Sequence, residues 1–521
     1  MSDIHLIDFF ERAAGHWPER LCVHDSRETG YTYRETLELS WRMANALHAE
    51  RLPAPLGCTI LSPNTPLVMV AIIAAARANV PRILLNLRDS PPTIAAVLNH
   101  NDCGLVLYDA SQNALVAELK RAMPQVRRWI AMQPGGLSGD VVWADWIAGQ
   151  PALPPEVERH PDDIVIRANT GGTTGLPKSV MHSRRTLHLL TFNWMACFPA
   201  PTPPVHLVVG PVTHAAGVIC LNMLATGGTN VLMPAPDLKR VPELIERFRV
   251  TDFFLPPTAI YMLLADPATR GRDYSSLRYF FYTAAPMSVA RLRESIEVFG
   301  PVMAQIYGQT EMVSPSTYLT PRDHIEALET GKLHRLASAG RVAPLADVAI
   351  MDDDGDLLPD GERGEIVMRG DGRMVGYYKD AAATEAVSGF GWHHTGDVGV
   401  RDADGFFYVV DRKKDMIISG GFNVYPAEVE QAVMREPAVS DCAVIGVPDD
   451  KWGEMVTAVI ELKPGATLDR DALLARCRAE LGGVRAPKRV EIVEALPRSP
   501  VGKVLKRVIR DRYWKNLERQ I

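Results

Sequence analysis

The sequence predicts an α/β protein with a large N-terminal domain of mixed and parallel sheets covered by helices, an antiparallel subdomain, and a small α+β C-terminal domain. Three observations support this fold class. Between about 160 and 310, short apolar runs alternate with longer amphipathic ones, as in repeated βα units. After about 320, turn-rich clusters separate short apolar runs. A charged stretch at 411–415 then precedes a segment with its own strand and helix alternation.

The βα region contains apolar runs that predict buried strands and amphipathic patterns that predict helices. The strands are expected at 164–167, 205–209, 229–233, 252–255, 279–282 and 302–306. Helices are expected at 241–248 and 289–298, between the later strands. Because parallel strands need a crossover connection, this order favours a largely parallel sheet covered by helices.

The following region has the signature of hairpins. The turn clusters lie at 352–355, 360–364 and 402–405, and the apolar runs at 347–351, 364–368 and 406–410. We therefore expect a small antiparallel subdomain. Beyond the polar stretch 411–415, which reads as a linker, strands are expected at 439–447 and 456–462. Helices are expected at 426–434 and 470–481, followed by a basic C-terminal helix.

Composition and charge exclude several classes of protein. The 521 residues include 56 Lys and Arg and 62 Asp and Glu, which gives a net charge of -6. A nucleic-acid-binding protein would be expected to have an excess of positive charge. The longest apolar run, 67–76, is shorter than the roughly 20 residues that span a bilayer. The acidic N-terminus does not read as a secretory signal. Seven scattered cysteines favour reduced thiols and a cytoplasmic protein.

The most informative motif is a loop rich in glycine and threonine that follows the strand expected at 164–167. Its residues are Thr170, Gly171, Gly172, Thr173, Thr174, Gly175, Leu176, Pro177, Lys178 and Ser179. Amides, hydroxyls and a lysine in such a loop can surround phosphate oxygens, which predicts ATP binding. A Walker A loop has its lysine directly after the last glycine, whereas Leu176 and Pro177 intervene here.

Six further motifs follow in order along the chain. They are 211–217 (PVTHAAG), 283–286 (TAAP), 307–311 (YGQTE), 391–397 (GWHHTGD), 411–415 (DRKKD) and 500–503 (PVGK). With the loop at 170–179, they closely resemble the motifs of the acyl-adenylate-forming, or AMP-binding, enzymes. That superfamily includes acyl-CoA and aryl-CoA synthetases, adenylation domains of nonribosomal peptide synthetases, and luciferases. The resemblance covers the chain from about 30 onward.

The resemblance implies a domain organisation and a reaction. Residues 1–411 would form the AMP-binding domain, with a β-barrel-like antiparallel subdomain at about 320–411. Residues 412–415 would form a hinge with Lys414 at the hinge position, and 416–521 a mobile C-terminal domain. The implied enzyme is an acid–thiol ligase of the acyl-CoA synthetase type. A carboxylate attacks the α-phosphate of magnesium ATP to give acyl-AMP and pyrophosphate, and the thiol of coenzyme A then displaces AMP.

The resemblance also assigns the nucleotide contacts. Tyr307 would lie against adenine, Thr310 would bind the α-phosphate, and Asp397 and Arg412 would bind ribose. The implied ATP- and AMP-binding residues are Thr170, Gly171, Gly172, Thr173, Thr174, Gly175, Lys178, Thr283, Ala284, Ala285, Tyr307, Gly308, Thr310, Glu311, Asp397, Arg412 and Lys503.

Three residues are expected to act in the chemical step. The resemblance makes Lys503, Thr174 and Glu311 catalytic, with Mg²⁺ held by Glu311 and Thr174. A lone carboxylate suits this metal, because Mg²⁺ often takes one or two protein carboxylates together with phosphate oxygens. Lys503 follows a glycine at the start of the basic C-terminal helix, where a mobile lysine can stabilise negative charge that develops only in the transition state.

The expected acyl pocket favours an uncharged tail. The implied lining residues are His214, Ala215, Gly217, Ala284 and Gly308. The candidate segments 211–217, 253–261, 283–287 and 311–315 contain no Lys or Arg to pair with a second carboxylate. No aspartate stands at 211–217 to pair with an amino-acid ammonium. Because alanines leave room for more than acetate, we expect an aromatic, alicyclic or medium- to long-chain acid.

Coenzyme A is expected on the C-terminal domain. Ser419, Gly420 and Gly421 resemble the loop that lines the pantetheine tunnel, and Trp452 matches a position where some relatives stack a tryptophan on the adenine of coenzyme A. An ordinary buried indole is the alternative for Trp452. The segment 483–488 resembles the one that binds the CoA phosphate, but Val484 and Ala486 lack the ring and guanidinium of some relatives.

The sequence departs from the superfamily's commoner pattern in three motifs. Gly171 stands where many relatives have serine, 283–286 replaces Gly-Gly-Ala/Glu-Pro, and Asp411-Arg412 replaces Gly-Arg. None of these changes removes a group that the chemistry needs.

Three rival functions stay open: a ligase that loads a carrier protein, a P-loop NTPase, and an inactive binding homologue. The implied partners are the acid, ATP and coenzyme A, and a homodimer is compatible with the sequence.

Overall fold

The computed structural model describes residues 6–170, 177–213, 215–498 and 504–514. The chain divides into two compact units. The first comprises residues 1–348 and 368–393, and the second comprises residues 349–367 and 394–521. The domain boundaries expected from the sequence, with a hinge at 412–415, therefore remain a prediction.

The N-terminal 160 residues alternate helices with short strands. In chain order these are α1 Leu6–His16, β1 Leu21–Asp25, β2 Gly30–Thr32, α2 Tyr33–Ala49, β3 Gly57–Leu61, α3 Pro66–Arg77, β4 Arg82–Leu84, α4 Pro91–His100, β5 Cys103–Tyr108, α5 Asn113–Ala122, β6 Arg128–Ala131, β7 Val141–Val142 and α6 Trp143–Trp146.

The next stretch, to about residue 342, contains the predicted βα units. Its elements are β8 Ile164–Asn169, β9 Ser179–Ser183, α7 Arg184–Cys197, β10 Val205–Val208, α8 Ala215–Ala225, β11 Thr229–Leu232, α9 Val241–Phe248, β12 Asp252–Phe254, α10 Pro257–Ala265, β13 Tyr279–Tyr282, α11 Val289–Phe299, β14 Met303–Gln309, β15 Met312–Leu319, α12 Pro321–Glu329 and β16 Arg341–Val342.

The remainder of the chain is richer in strands. Its elements are β17 Asp347–Met351, β18 Arg363–Arg369, β19 Gly376–Tyr377, α13 Ala381–Ala386, β20 His393–Arg401, β21 Phe407–Arg412, β22 Ile417–Ser419, β23 Phe422–Val424, α14 Pro426–Val433, β24 Val439–Asp449, β25 Gly453–Leu462, α15 Arg470–Arg485, β26 Arg489–Val493 and α16 Lys506–Trp514.

Two large sheets form the first unit. One has the order β16-β15-β14-β13-β12-β10-β11-β1-β2, and the other has the order β19-β9-β8-β4-β3-β5-β6-β7. Parallel pairs dominate both sheets, and antiparallel strands are added at the ends. The predicted strands and helices of the βα region are therefore confirmed, with boundaries that differ by at most three residues.

One buried core joins the two large sheets. Helix α3 lies in it with almost every side chain buried, and it packs with residues of β1, β3, β5 and β10. The apolar run at 67–76 is therefore a helix surrounded by protein, which explains why it lacks a polar face. Among the described helices, none combines the length and the apolar composition needed to cross a bilayer. All seven cysteines are buried, and none forms a disulfide.

Two smaller sheets complete the fold. One has the order β17-β18-β20-β21, in which β20 and β21 are antiparallel. The other has the order β23-β22-β25-β24, with β26 added beside β25. Helices α14 and α15 pack on this last sheet around a core that includes Val429, Leu473 and Cys477. The predicted α/β fold class, with its antiparallel part and its small C-terminal α+β part, is confirmed.

Buried neutral histidines make the first unit sensitive to acid. His206 lies in β10, is 1% exposed, and has Nδ1 2.9 Å from Asn230 Oδ1. Burial lowers the pKa of this imidazole from 6.5 to about 4, because desolvation disfavours the charged ring. Burial lowers the pKa of His324 to about 4 in the same way. Above pH 6.5 both rings are neutral in the folded and the unfolded chain, so they do not change the free energy of unfolding with pH. Below pH 6.5 the histidines of the unfolded chain bind protons, whereas the buried rings of the folded chain do not.

We therefore expect the stability of the protein to fall as the pH decreases from 6.5 to about 4. The variant His206→Gln lacks one of these buried imidazoles. Its unfolding free energy should therefore change less with pH than that of the wild type, by up to about 1.4 kcal/mol per pH unit. Urea unfolding at several pH values measures both slopes, and the region above pH 7 is the internal control. Parallel curves for the two proteins down to pH 4 would contradict this assignment.

Candidate functional site

The predicted phosphate loop connects two antiparallel strands. Strand β8 precedes it and β9 follows it, with Asn169 opposite Ser179. The Thr170 amide donates to the Lys178 carbonyl at 2.9 Å, which closes the neck of the loop. Residues 171–176, which include Gly171, Gly172, Thr173, Thr174 and Gly175, lie outside the described part of the chain.

This placement bears on the rival P-loop function. In a Walker A motif the loop is followed at once by a helix, whose N-terminus helps to hold the phosphates. Here the residue after Lys178 begins β9, which returns alongside β8. The local fold therefore does not have the Walker A geometry.

The predicted magnesium ligand lies in a tight turn. Strands β14 and β15 form a hairpin in which Gln309 pairs with Met312, so Thr310 and Glu311 are its two turn residues. His182 Nε2 donates to the Thr310 carbonyl at 2.7 Å, and the Met374 amide donates to the Glu311 carbonyl at 2.7 Å. Both carbonyls of the turn are therefore held by neighbouring elements.

The prediction that a strand ends just before Tyr307 is corrected by the structure. Strand β14 continues to Gln309, so Tyr307 and Gly308 lie inside the hairpin. The reason is the returning strand β15, which supplies a pairing partner for Tyr307 at Thr317. A run of apolar residues alone did not reveal this extension, because residues 307–309 are only half-buried.

One tyrosine that sequence reasoning missed contacts two of the predicted site residues. The Tyr377 hydroxyl donates to Glu311 Oε1 at 2.8 Å, and Lys178 Nζ lies 4.7 Å from the centre of the Tyr377 ring. Tyr377 is adjacent to β9 through the β19–β9 pairing. No motif marked it, because it stands 66 residues from Glu311 in the sequence.

The segment at 283–285 follows the end of β13. Because Tyr282 pairs with Gln305 on β14, the sheet brings Thr283 towards Tyr307, so two predicted nucleotide contacts come from neighbouring strands. Ala284 is exposed and has φ +74°, in the left-handed region that favours glycine. The alanine therefore occupies a backbone conformation that the superfamily's commoner glycine adopts without strain.

The expected acyl-pocket segment precedes α8. His214 lies outside the described residues, and Ala215 begins the helix. A Cβ added at Gly217 would meet the Val212 carbonyl oxygen at 1.9 Å, so only glycine fits where the helix crosses that carbonyl. Gly217 thus has a packing function here, and its contact with an acyl group remains a prediction.

The two predicted ribose contacts lie side by side in the second unit. Asp397 on β20 is paired with Arg412 on β21, and Arg412 Nε lies 2.6 Å from Asp397 Oδ1. The Asp397 side chain is 4% exposed, whereas that of Arg412 is 39% exposed. The carboxylate is therefore oriented by a guanidinium from the neighbouring strand.

Strand pairing sets the local structure around these residues. Asp397 lies within β20, next to Gly396, which has φ +69°. In the stretch 411–415, which was expected as a linker, Asp411 and Arg412 end β21 and 413–415 form a single 3₁₀ turn, and its role as a linker remains a prediction. The pairing of β20 with β21 therefore extends into the first two residues of this stretch.

The predicted hinge residue is on that 3₁₀ turn. Lys414 is exposed, whereas the preceding Lys413 contacts Asp353 at 2.7 Å and Glu365 at 3.3 Å. The side chain of Lys414 is therefore not part of the ion pairs that hold its neighbour.

The predicted coenzyme A residues come together around one turn. Ser419 ends β22, and Gly420 and Gly421, with φ +60° and +80°, connect it to β23. The Gly420 amide donates to the Trp452 carbonyl at 2.7 Å, and a Cβ on Gly420 would meet the indole at 3.0 Å. The glycine therefore allows the turn to lie directly against the tryptophan.

Two lysines lie close to the same indole. Lys451 Nζ is 5.3 Å and Lys488 Nζ is 5.1 Å from the Trp452 ring. Lys488 also donates to the Val484 and Ala486 carbonyls, at 2.5 and 2.7 Å. The half-buried Trp452 thus has two lysine ammonium groups near its ring, while its amide donates to Asp449 Oδ1 at 2.9 Å.

Lys503 lies outside the described residues, but both of its flanks are anchored. Arg498 and Val504 form an antiparallel bridge, and the Arg498 guanidinium contacts Asp441 at 2.7 Å. Beyond it, Lys506 in the first turn of α16 contacts Glu430 Oε1 at 2.8 Å. The segment that carries Lys503 therefore begins and ends on fixed elements of the second unit.

Comparison with known proteins identifies the family. Residues 10–378 match the AMP-binding enzyme family, and residues 428–503 match the AMP-binding enzyme C-terminal domain. The chain belongs to the AMP-binding enzyme family. The resemblance seen in the motifs is therefore confirmed, and so is the expected enzyme class, an acid–thiol ligase of the acyl-CoA synthetase type.

Several members of the AMP-binding enzyme family are similar over almost their whole length. A medium/long-chain-fatty-acid–CoA ligase, FadD8 of Mycobacterium tuberculosis, is 35% identical and covers 96% of this chain and 88% of its own. A feruloyl-CoA synthase of Amycolatopsis is 35% identical, with 96% and 99% covered. The structure of the amide bond synthetase McbA from Marinactinospora thermotolerans has a TM-score of 0.87 at 30% identity, with 98% and 100% covered.

Glu311 is the described residue of this AMP-binding enzyme that is expected to bind Mg²⁺. Among the described residues, no group of three or more His, Cys, Asp and Glu side chains could hold a metal ion. Glu311 offers a single carboxylate, oriented by Tyr377. One carboxylate together with phosphate oxygens is a donor set that Mg²⁺ accepts, so the site suits a metal that arrives with ATP.

Proposed function

We propose that the protein is an ATP-dependent carboxylate–CoA ligase that forms an acyl adenylate from an acid with an uncharged tail and releases acyl-CoA, AMP and pyrophosphate. The observation that carries the proposal is the grouping of Lys178 and Glu311 around Tyr377. A cation from the phosphate loop and the expected metal ligand thereby approach the same side chain. This arrangement supports binding of a metal-complexed triphosphate.

In the first half-reaction a carboxylate oxygen of the acid attacks the α-phosphorus of ATP, and pyrophosphate leaves. The loop residues 170–175 and Lys178 would hold the phosphates, and Thr310 would hold the α-phosphate. Lys503 would stabilise the negative charge shared by the attacking carboxylate and the α-phosphate. Asp397, oriented by Arg412, would accept hydrogen bonds from the ribose hydroxyls.

Glu311 and Thr174 would hold Mg²⁺ together with phosphate oxygens of ATP. When bound, the ion offsets negative charge on the phosphates. Tyr307, inside β14, would lie against the adenine, and Thr283, Ala284 and Ala285, after the end of β13, would contact the nucleotide.

In the second half-reaction the sulfur of coenzyme A attacks the acyl carbonyl, and AMP leaves with the electrons of the acyl–oxygen bond. We propose that rotation about Lys414 brings the turn at 419–421 to the adenylate. Its glycines and the adjacent Trp452 support the passage of a thin pantetheine arm. The positive charge of Lys451 and Lys488 near Trp452 favours the phosphates of coenzyme A.

The substrate that we propose is an aromatic, alicyclic or medium- to long-chain acid. The relatives support this breadth, since one acts on medium- and long-chain fatty acids and another makes feruloyl-CoA. His214, Ala215, Gly217, Ala284 and Gly308 are the proposed pocket residues.

A panel of carboxylic acids tests the substrate class. With ATP, Mg²⁺ and coenzyme A, we expect a monocarboxylate with an uncharged tail to have the highest kcat/KM. Malonate should be slower by about 100-fold or more, because its second carboxylate would be buried without a counter-charge. AMP release measures the rates. If acetate, malonate or an amino acid proved the best substrate, the interpretation of the pocket would be wrong even with the adenylation chemistry intact.

The same assay separates the rival acceptors. Some relatives differ in acceptor, since one is a fatty acid–[acyl-carrier-protein] ligase and McbA is an amide bond synthetase. We expect coenzyme A to release AMP faster than a holo-carrier protein or an amine does at saturating concentration. Faster release with the carrier protein would instead support the loading function. Release of phosphate instead of pyrophosphate would point to an NTPase.

A further inference from the structure

A single buried tyrosine links the elements that carry the proposed phosphate and metal contacts. Tyr377 is 6% exposed and lies on the two-residue strand β19, where it pairs with Val180 of β9. Strand β9 begins one residue after Lys178. The backbone therefore holds Tyr377 beside the C-terminal end of the phosphate loop.

The neighbouring contacts leave the phenol ring little freedom. The Tyr377 amide donates to Thr384 Oγ1 at 2.9 Å, and its ring packs with Val180 and Met374. The Met374 amide in turn donates to the Glu311 carbonyl, and Met312 forms a bridge with Arg373. The segment 373–377 is thus attached to the hairpin turn on one side and to β9 on the other.

Both the hydroxyl and the ring of Tyr377 contact predicted site residues. The hydroxyl donates to Glu311 Oε1 at 2.8 Å, and the face of the ring lies 4.7 Å from Lys178 Nζ. A hydroxyl that donates to one carboxylate oxygen orients the carboxylate and leaves its second oxygen to a metal ion. An ammonium over an aromatic face is attracted by the ring quadrupole, which limits where a flexible lysine can go.

We propose that Tyr377 is a positioning residue that presets Glu311 for Mg²⁺ and Lys178 for the phosphates before ATP binds; this inference rests on the proposed function. In this structure its side chain contacts Glu311 and Lys178. It acts through the two side chains that it touches.

The test compares two neighbouring tyrosines. Tyr377→Phe removes only the hydroxyl and keeps the ring over Lys178. Tyr378→Phe is the matched control, because its hydroxyl donates to Asp102 and its ring packs on Arg167, 4.0 Å away. Each variant loses one phenol hydroxyl, and the two positions are adjacent in the sequence. They differ in the carboxylate that loses its donor, which is Glu311 for Tyr377 and Asp102 for Tyr378.

Two measurements report on the metal. The first is the Mg²⁺ concentration that gives half-maximal pyrophosphate exchange. The second is the affinity for Mn²⁺ in the presence of a non-hydrolysable ATP analogue, measured by electron paramagnetic resonance. We expect Tyr377→Phe to raise the half-maximal Mg²⁺ concentration and to lower the Mn²⁺ affinity, each by about tenfold. This is the usual effect of losing a hydrogen bond that orients a metal ligand. Tyr378→Phe should match the wild type in both.

A double variant tests whether the hydroxyl acts through Glu311. In a Glu311→Ala background, Tyr377→Phe should not change the Mn²⁺ affinity further, because the carboxylate that it orients is gone. Unchanged metal dependence in Tyr377→Phe, or an equal change in Tyr378→Phe, would overturn the inference. If the wild type itself forms no AMP from any acid, the proposed function fails. If the wild type forms AMP and Tyr377→Phe has the same metal dependence as the wild type, this inference fails alone.

Discussion

Replacing Lys503 with alanine is expected to slow acyl-adenylate formation by about 100- to 1,000-fold, which corresponds to roughly 3–4 kcal/mol of lost transition-state stabilisation. Negative charge accumulates between the attacking carboxylate and the α-phosphate, and an ammonium placed there acts mostly in the transition state. Thioester formation from presynthesised acyl-AMP should be largely intact, because Lys503 is needed only in the first conformation.

Pyrophosphate exchange measures the first half-reaction, and thioester formation from added acyl-AMP measures the second. Arg507→Ala is a suitable control, since this arginine lies on α16, four residues after Lys503 in the sequence, and contacts Asp511 at 3.7 Å. It removes one positive charge close to Lys503 in sequence and should leave both rates unchanged. An equal loss of both half-reactions in Lys503→Ala would contradict the proposed division of labour.

A proline at position 414 is expected to abolish transfer to coenzyme A while acyl-AMP still forms and accumulates on the enzyme. Proline sets φ near −65° and restricts the residue before it, so it removes backbone freedom on both sides of the hinge position. Where the backbone must leave the conformation that proline imposes, the cost is about 3 kcal/mol, or roughly 100-fold in rate.

Rapid quenching with labelled acid distinguishes accumulated acyl-AMP from released thioester. Lys414→Ala provides the control, because it removes the same exposed side chain and leaves the backbone free. It should retain both half-reactions. If Lys414→Pro turned over normally, the hinge would lie elsewhere in the chain.

Much of the fold could be predicted because buried strands and amphipathic helices have local signatures. The segments that became β10 to β14 are rich in apolar residues with only scattered polar ones such as His206 and Asn230, as expected of strands covered on both faces. The helix expected at 241–248 was found with the same boundaries, because Pro242 marks its first turn and apolar side chains repeat on one face. The extension of β14 to Gln309 was missed, because it depends on β15.

The sequence by itself determined the family of this protein, since the residues proposed to bind phosphate, metal and ribose stand in short contiguous motifs that resemble those of the AMP-binding family. Only the tertiary structure decided which of these residues touch one another. Arg412 meets Asp397 through the register of β20 and β21, Gly420 lies against Trp452, and Tyr377 reaches Glu311 from 66 residues away. Such contacts depend on strand pairing between distant segments, and pairing is set by the burial of whole sheets and leaves no signal in the local sequence.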